Sequence, residues 1–113
     1  MSSTLPLLLE PQTLAERLGE SDLLIVDLGK WQVYQQAHIP GAVHLDFRAL
    51  QKGTQPAPGL LPDKGSLEAL FSSLGLTPNT HVVACDDEGG GWAGRLLWVL
   101  ESIGHQRYSW LNG

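Results

Sequence analysis

The chain has 113 residues, 42% of them apolar, and a formal net charge of −5. That is one domain's length, enough for a real core, while the negative charge and singly scattered Lys and Arg argue against a nucleic-acid surface. No apolar run approaches the ~20 residues of a membrane span, residues 1–10 do not read as a signal peptide, and the single cysteine excludes an internal disulfide and fits a reducing cytoplasm.

Leu7-Leu8-Leu9 is a short apolar run. Pro11 suits the first turn of a helix, where its missing N–H needs no partner. Leu14 and Leu18 lie one turn apart, and Gly19 stops that helix. Leu23 to Val26 is a continuous apolar run ending in Asp27, the pattern of a central parallel strand covered on both faces. A modest helix over residues 31–37 follows, with Trp31 and Tyr34 three apart. His38-Ile39-Pro40-Gly41 punctuates it, because Pro40 holds Ile39 extended and Gly41 allows a turn.

Residues 42–45 read as a short strand, and the Pro- and Gly-rich stretch 53–62 as a surface loop. Asp63 or Ser66 can cap the next helix, whose apolar face is Leu67, Leu70, Phe71 and Leu74 and which Gly75 ends. Residues 81–85 form the second central strand. A helix over 91–103 is apolar on nearly every side and is expected to be buried or to lie against another domain. A last strand covers 107–111. Strands and helices alternate, which predicts an α/β fold with a parallel sheet and helices on both faces. The final covering helix is expected to be missing from this chain.

Chemistry is expected where the strand ending at Cys85 meets the helix N-terminus, because α/β sites form at the carboxyl ends of strands. That junction holds Asp86, Asp87, Glu88, Gly89, Gly90, Gly91 and Trp92. A nucleophilic Cys85 needs a lowered pKa. The helix end offers ~0.3–1 kcal/mol, against up to ~4 kcal/mol from one carboxylate at ~4 Å. Repulsion wins, and Cys85 reads as a small hydrophobe at a strand end. The glycines satisfy G-x-G-x-x-G, but acids sit where a pyrophosphate would lie and no acid follows at ~20 residues. The three acids read as caps of the following helix, since the loop offers no spaced ligand series for a hard cation. His38 and His44 flank the Pro-Gly turn without a nearby third ligand, so no metal site is assigned. His105 reads as solvated. Arg95 is placed to pair with Asp27 or a loop acid, or to bind an anion. A Cys-x5-Arg phosphatase loop fails on spacing.

Leu24-Ile25-Val26-Asp27, Tyr34 with Ala37-His38-Ile39-Pro40-Gly41-Ala42-Val43, the segment Asp86 to Arg95, and Leu111-Asn112-Gly113 together resemble the rhodanese family. The resemblance covers essentially the whole chain and is closest to the N-terminal domain of tandem-domain thiosulfate sulfurtransferases. It implies one rhodanese-like domain over 1–113. Catalytic members carry a cysteine at the first position of the loop, where it takes a sulfane sulfur as a persulfide and passes it to cyanide or another thiophile. Here that position matches Asp86, and Cys85 precedes it. The resemblance therefore implies a vestigial loop, with Asp27 and Arg95 supporting it, no catalytic residue and no cofactor. Its partner would be a C-terminal catalytic domain of the same cytoplasmic protein, which binds thiosulfate. The competing readings are a single-domain sulfurtransferase using Cys85 from a shifted register, and a stand-alone interaction module displaying its tryptophans.

Overall fold

The computed structural model describes residues 5–46, 64–87 and 90–112. The expected 53–62 loop, the Asp63 cap, Glu88, Gly89 and Gly113 lie outside the described residues. The elements in chain order are β1 (Leu8–Leu9), α1 (Pro11–Ala15), β2 (Leu23–Asp27), α2 (Trp31–Gln36), β3 (Val43–His44), α3 (Lys64–Ser73), β4 (His81–Cys85), α4 (Gly91–Ser102) and β5 (Tyr108–Leu111). The strands form one parallel sheet in the order β1-β5-β4-β2-β3. The alternating α/β reading and both central strands are therefore observed.

Strand alternation sorts the core onto the two faces. Val26, Val82 and Ala84 face α3 and α4, packing with Leu67, Phe71, Leu96 and Leu100. Ile25 and Val83 face the other way, toward Leu5, Leu9, Leu14 and Tyr34. Tyr34 anchors α2 by donating from its hydroxyl to the Ala42 carbonyl at 2.7 Å.

Several local expectations change. The Leu7–Leu9 run becomes an edge strand because Leu8 and Leu9 pair with Trp110 and Leu111. The first helix ends at Ala15, before Leu18, which is exposed. Ser66 lies inside the first turn of α3 and does not precede it. The last helix is not apolar all round in its setting: Ala93, Leu96, Leu97, Val99 and Leu100 are buried, but Trp98 is 52% exposed. Among the described residues, no helix is long and apolar enough to cross a membrane.

Candidate functional site

The sheet order places β2 and β4 side by side, with Asp27 the register partner of Cys85. The loop after β2 leads to α2 on one face, and the loop after β4 leads to α4 on the other. The two loops diverge, which makes the crevice in which open α/β sheets build their sites.

The first loop residue, Asp86, turns its carboxylate onto the start of α4. Its Oδ1 accepts from Gly90 N–H at 2.8 Å and its Oδ2 from Ala93 N–H at 2.7 Å. Both oxygens thus engage backbone donors at the positive end of the helix, as an N-terminal carboxylate should. Gly90 has φ +95°, a left-handed conformation that suits glycine, and a Cβ there would stand 2.7 Å from the Trp110 ring. The loop is therefore pinned by its own aspartate from inside and by an indole from β5.

Asp87 does not cap α4. Its Oδ1 accepts from Lys30 N–H at 3.3 Å, across the crevice. Asp27 accepts from Gly29 N–H at 2.8 Å, and His44 Nε2 donates to the Gly29 carbonyl at 2.8 Å. Side chains from the ends of β2, β3 and β4 thus grip one short turn. A Cβ at Gly29 would lie 2.9 Å from Asp87 Oδ1 and 3.0 Å from Asp27 Oδ1, so a larger residue there would have to displace these carboxylates.

Arg95 lies with its guanidinium 4.6 Å from the centroid of the Trp98 ring, a cation–π arrangement. Asp27 closes its turn by accepting from Gly29 N–H. His38 Nδ1 donates to the Tyr34 carbonyl at 2.8 Å and its ring stacks on Tyr34, so both histidines bond to backbone carbonyls around the turn. His105 is partly buried with Nε2 2.9 Å from the Thr80 carbonyl, and is not merely solvated.

Cys85 follows Val83 onto the α1/α2 face and packs in that cluster, with Sγ 3.7 Å from the Val26 carbonyl. Burial pushes its thiol up to about 12, helped by Asp27 and then Asp86. The expected direction is right, but the ranking of causes is not: desolvation leads, and the first charge is Asp27 on the neighbouring strand.

Two clefts flank the crevice. One of about 530 Å³ is lined by Leu8, Asp86, Asp87, Gly90, Trp110, Leu111 and Asn112. The other, about 380 Å³, lies between Trp31 and Trp92, with Gly29, Lys30, His44 and Asp46 along it. Sequence reasoning assigns no role to Gly29, weighs His44 only as a metal ligand and offers Trp110 only as a displayed tryptophan; the turn and loop contacts of all three are missed. The only local signal for them was their position at strand ends and turns, which many unrelated residues share.

Residues 10–113 match the family model described as the rhodanese-like domain. Over 111 residues the chain is 54% identical to the thiosulfate sulfurtransferase of Pseudomonas aeruginosa and 50% identical to that of Azotobacter vinelandii, covering 98% of the chain and 41% of each relative. It is 30% identical over 110 residues to the 3-mercaptopyruvate sulfurtransferase of Escherichia coli, covering 88% of the chain and 39% of that protein. The crystal structure of a 3-mercaptopyruvate sulfotransferase from Escherichia coli superposes with a TM-score of 0.83 at 28% identity, over 97% of the chain and 45% of that structure. The chain spans about two fifths of the length of the curated relatives it matches.

Proposed function

The chain belongs to the rhodanese-like domain family, and on that premise we propose that it is the non-catalytic N-terminal domain of a two-domain thiosulfate sulfurtransferase. In the proposed protein a cysteine of the second domain attacks the sulfane sulfur of thiosulfate, sulfite leaves, and the persulfide passes its sulfur to cyanide or another thiophile. Thiosulfate is favoured as donor by the relatives at 54% and 50% identity. Cytoplasmic location belongs to the same reading.

The observation that carries the proposal is the Asp86 carboxylate at the head of the loop. Persulfide chemistry needs a soft thiolate and free donors for a dianion. At this position stands a hard anion that already engages Gly90 N–H and Ala93 N–H. Cys85, one residue earlier, sits on the other face of the sheet with its thiol held up at about 12. The role left to the domain is to fold, to seat the second domain and to shape the crevice between them. The exposed Trp98 with Arg95 over it, on α4, is the proposed packing surface.

A thiosulfate–cyanide assay on the chain, with mass spectrometry after thiosulfate treatment, tests this. Background turnover and no sulfur added to Cys85 are expected. Turnover abolished by Cys85→Ala overturns the proposal. A second readout is alkylation at pH 8, where Cys85 should react on the order of 10³-fold more slowly than a free thiol because its thiolate is that much scarcer.

A further inference from the structure

The sheet face under α1 is left partly open beside β5. α1 is helical only over Pro11–Ala15 and buries one side chain, Leu14. Arg17 N–H bonds to the Leu14 carbonyl at 2.9 Å, so the chain keeps winding after Ala15 and carries the pattern on to Leu18, which is 37% exposed. Pro11, Leu14, Ala15 and Leu18 stand at i, i+3, i+4 and i+7, the stripe that one helix offers another. Ile39, from the turn after α2, and Leu111, the last residue of β5, line the same groove. These six apolar residues enclose about 180 Å³.

The end of β5 is fastened to this groove. Asn112 follows Leu111 and is tied twice to the residues that start α1. Its N–H donates to the Leu9 carbonyl at 2.8 Å, and its side-chain amide donates to the Glu10 carboxylate at 3.0 Å. Glu10 is the N-cap residue of α1. The polypeptide therefore leaves β5 beside the first turn of α1, where Pro11 begins the stripe. Each of β1 to β4 is followed by a helix, and in a parallel sheet that connection must run back over a face. The α3/α4 face of β5 is already taken: Tyr108 packs with the cluster under α4, and Trp110 lies against Gly90 and Gly94. A helix running back from β5 has the α1 stripe as its open bed.

We propose that this groove seats an amphipathic helix formed by the residues directly after Gly113, docked along α1 through its apolar side chains. The inference rests on the two-domain reading, in which the polypeptide runs on; the chain covers 41% of each thiosulfate sulfurtransferase relative. A surface of the second domain is the rival occupant. A narrow groove lined by a helical stripe suits a single helix, whereas interfaces between domains of one chain are broader and more polar. The helix then belongs to this domain, completing the layer that α1 and α2 leave thin, and the catalytic domain begins only beyond it.

The complete protein, expressed from its native reading frame, tests the proposal. With Leu18 replaced by the photo-crosslinker benzoyl-phenylalanine, irradiation should join position 18 to the first ~25 residues after Gly113, room for a short link and a helix of ordinary length. The same label at Asn79, exposed before β4, should give no such crosslink. Alkylation gives a second readout, with Cys85 silent because its thiol is held up at about 12. Leu18→Cys should react about 10-fold more slowly in the complete protein than in the 113-residue chain, and Asn79→Cys equally in both. Crosslinks from position 18 only to later residues give the groove to the second domain and overturn the proposal. Absence of a crosslink with equal alkylation of Leu18→Cys in the two forms also overturns it, and leaves the two-domain reading standing. A reading frame that stops at Gly113 overturns that reading and this inference with it.

Discussion

On the side of α3 and α4 the sheet is sealed by Val26, Val82, Ala84, Leu96, Val99 and Leu100, none more than 2% exposed. On the side of α1 and α2 the corresponding layer holds Ile25, Val83 and Leu9 but also His81, Ser109 and Cys85. The difference follows from helix length. The first face is covered by helices of 10 and 12 residues, the second by helices of 5 and 6, of which α1 buries one side chain and α2 none. Long helices supply apolar area and leave the face sensitive mainly to volume. Short ones leave polar atoms inside, each needing a partner, and that face becomes sensitive to charge state.

Truncating each face in turn is the strongest way to break this comparison. Leu100→Ala should cost about 3–4 kcal/mol in urea unfolding, because Leu100 is fully buried under α4 in a layer with little room to collapse. Leu14→Ala should cost about 2 kcal/mol, since it borders a cleft of about 180 Å³ with Leu18, Ile39 and Leu111. Equal costs would mean that the two faces are packed alike. The next effect is one of pH. The folded His81 has its pKa lowered from 6.5 to about 4, so the unfolded chain binds more protons between those values. The stabilisation is complete above about pH 6.5 and is lost as pH falls toward 4, by about 2–3 kcal/mol. His81→Gln should flatten that part of the stability–pH curve, and Leu100→Ala should leave its slope unchanged.

The parts legible in the sequence were those with a local cause. Residues 23–27 and 81–85 announce themselves as buried strands through continuous apolar runs, and 91–103 as a helix that is apolar on nearly every side, of which 91–102 is helical. β1 was not legible as a strand, because two leucines become one only by pairing with β5 at the far end of the chain. The candidate loop was found, and Asp86 was read as a cap, which is its observed bonding. The roles of its neighbours were not. Sequence adjacency put Asp87 beside the thiol, whereas the ladder puts Asp27 there, and Asp87 bonds to Lys30. His81, Ser109 and Pro6 meet only after three strands align, and nothing near any of them in the sequence marks the meeting.

The comparison sharpens at the start of α4, where the apolar face meets the polar loop. Gly90→Ala should cost about 2 kcal/mol, from the left-handed φ and the Trp110 ring that its Cβ would strike. Gly91→Ala, one residue on, meets nothing within 4 Å and begins the helix, so it should stabilise by about 0.5 kcal/mol. If the two substitutions behave alike, the indole does not pin the loop.

Asp86 carries a smaller cost than Gly90 and a more specific one. Asp86→Ala removes the acceptor from both Gly90 N–H and Ala93 N–H and should cost about 1 kcal/mol, the usual worth of an N-terminal cap. Asp86→Asn keeps one oxygen acceptor but turns an amide donor toward the second N–H and loses the charge favoured at the helix end. It should recover less than half of that loss. The amide shifts of Gly90 and Ala93 would show which bond survives. If the alanine variant were as stable as the parent, the carboxylate would be a bystander at the helix end, and packing of Trp110 under Gly90 would have to hold the loop unaided. In that case the stability of α4 would rest wholly on its apolar face, and the aspartate would owe its bonds to a loop already formed.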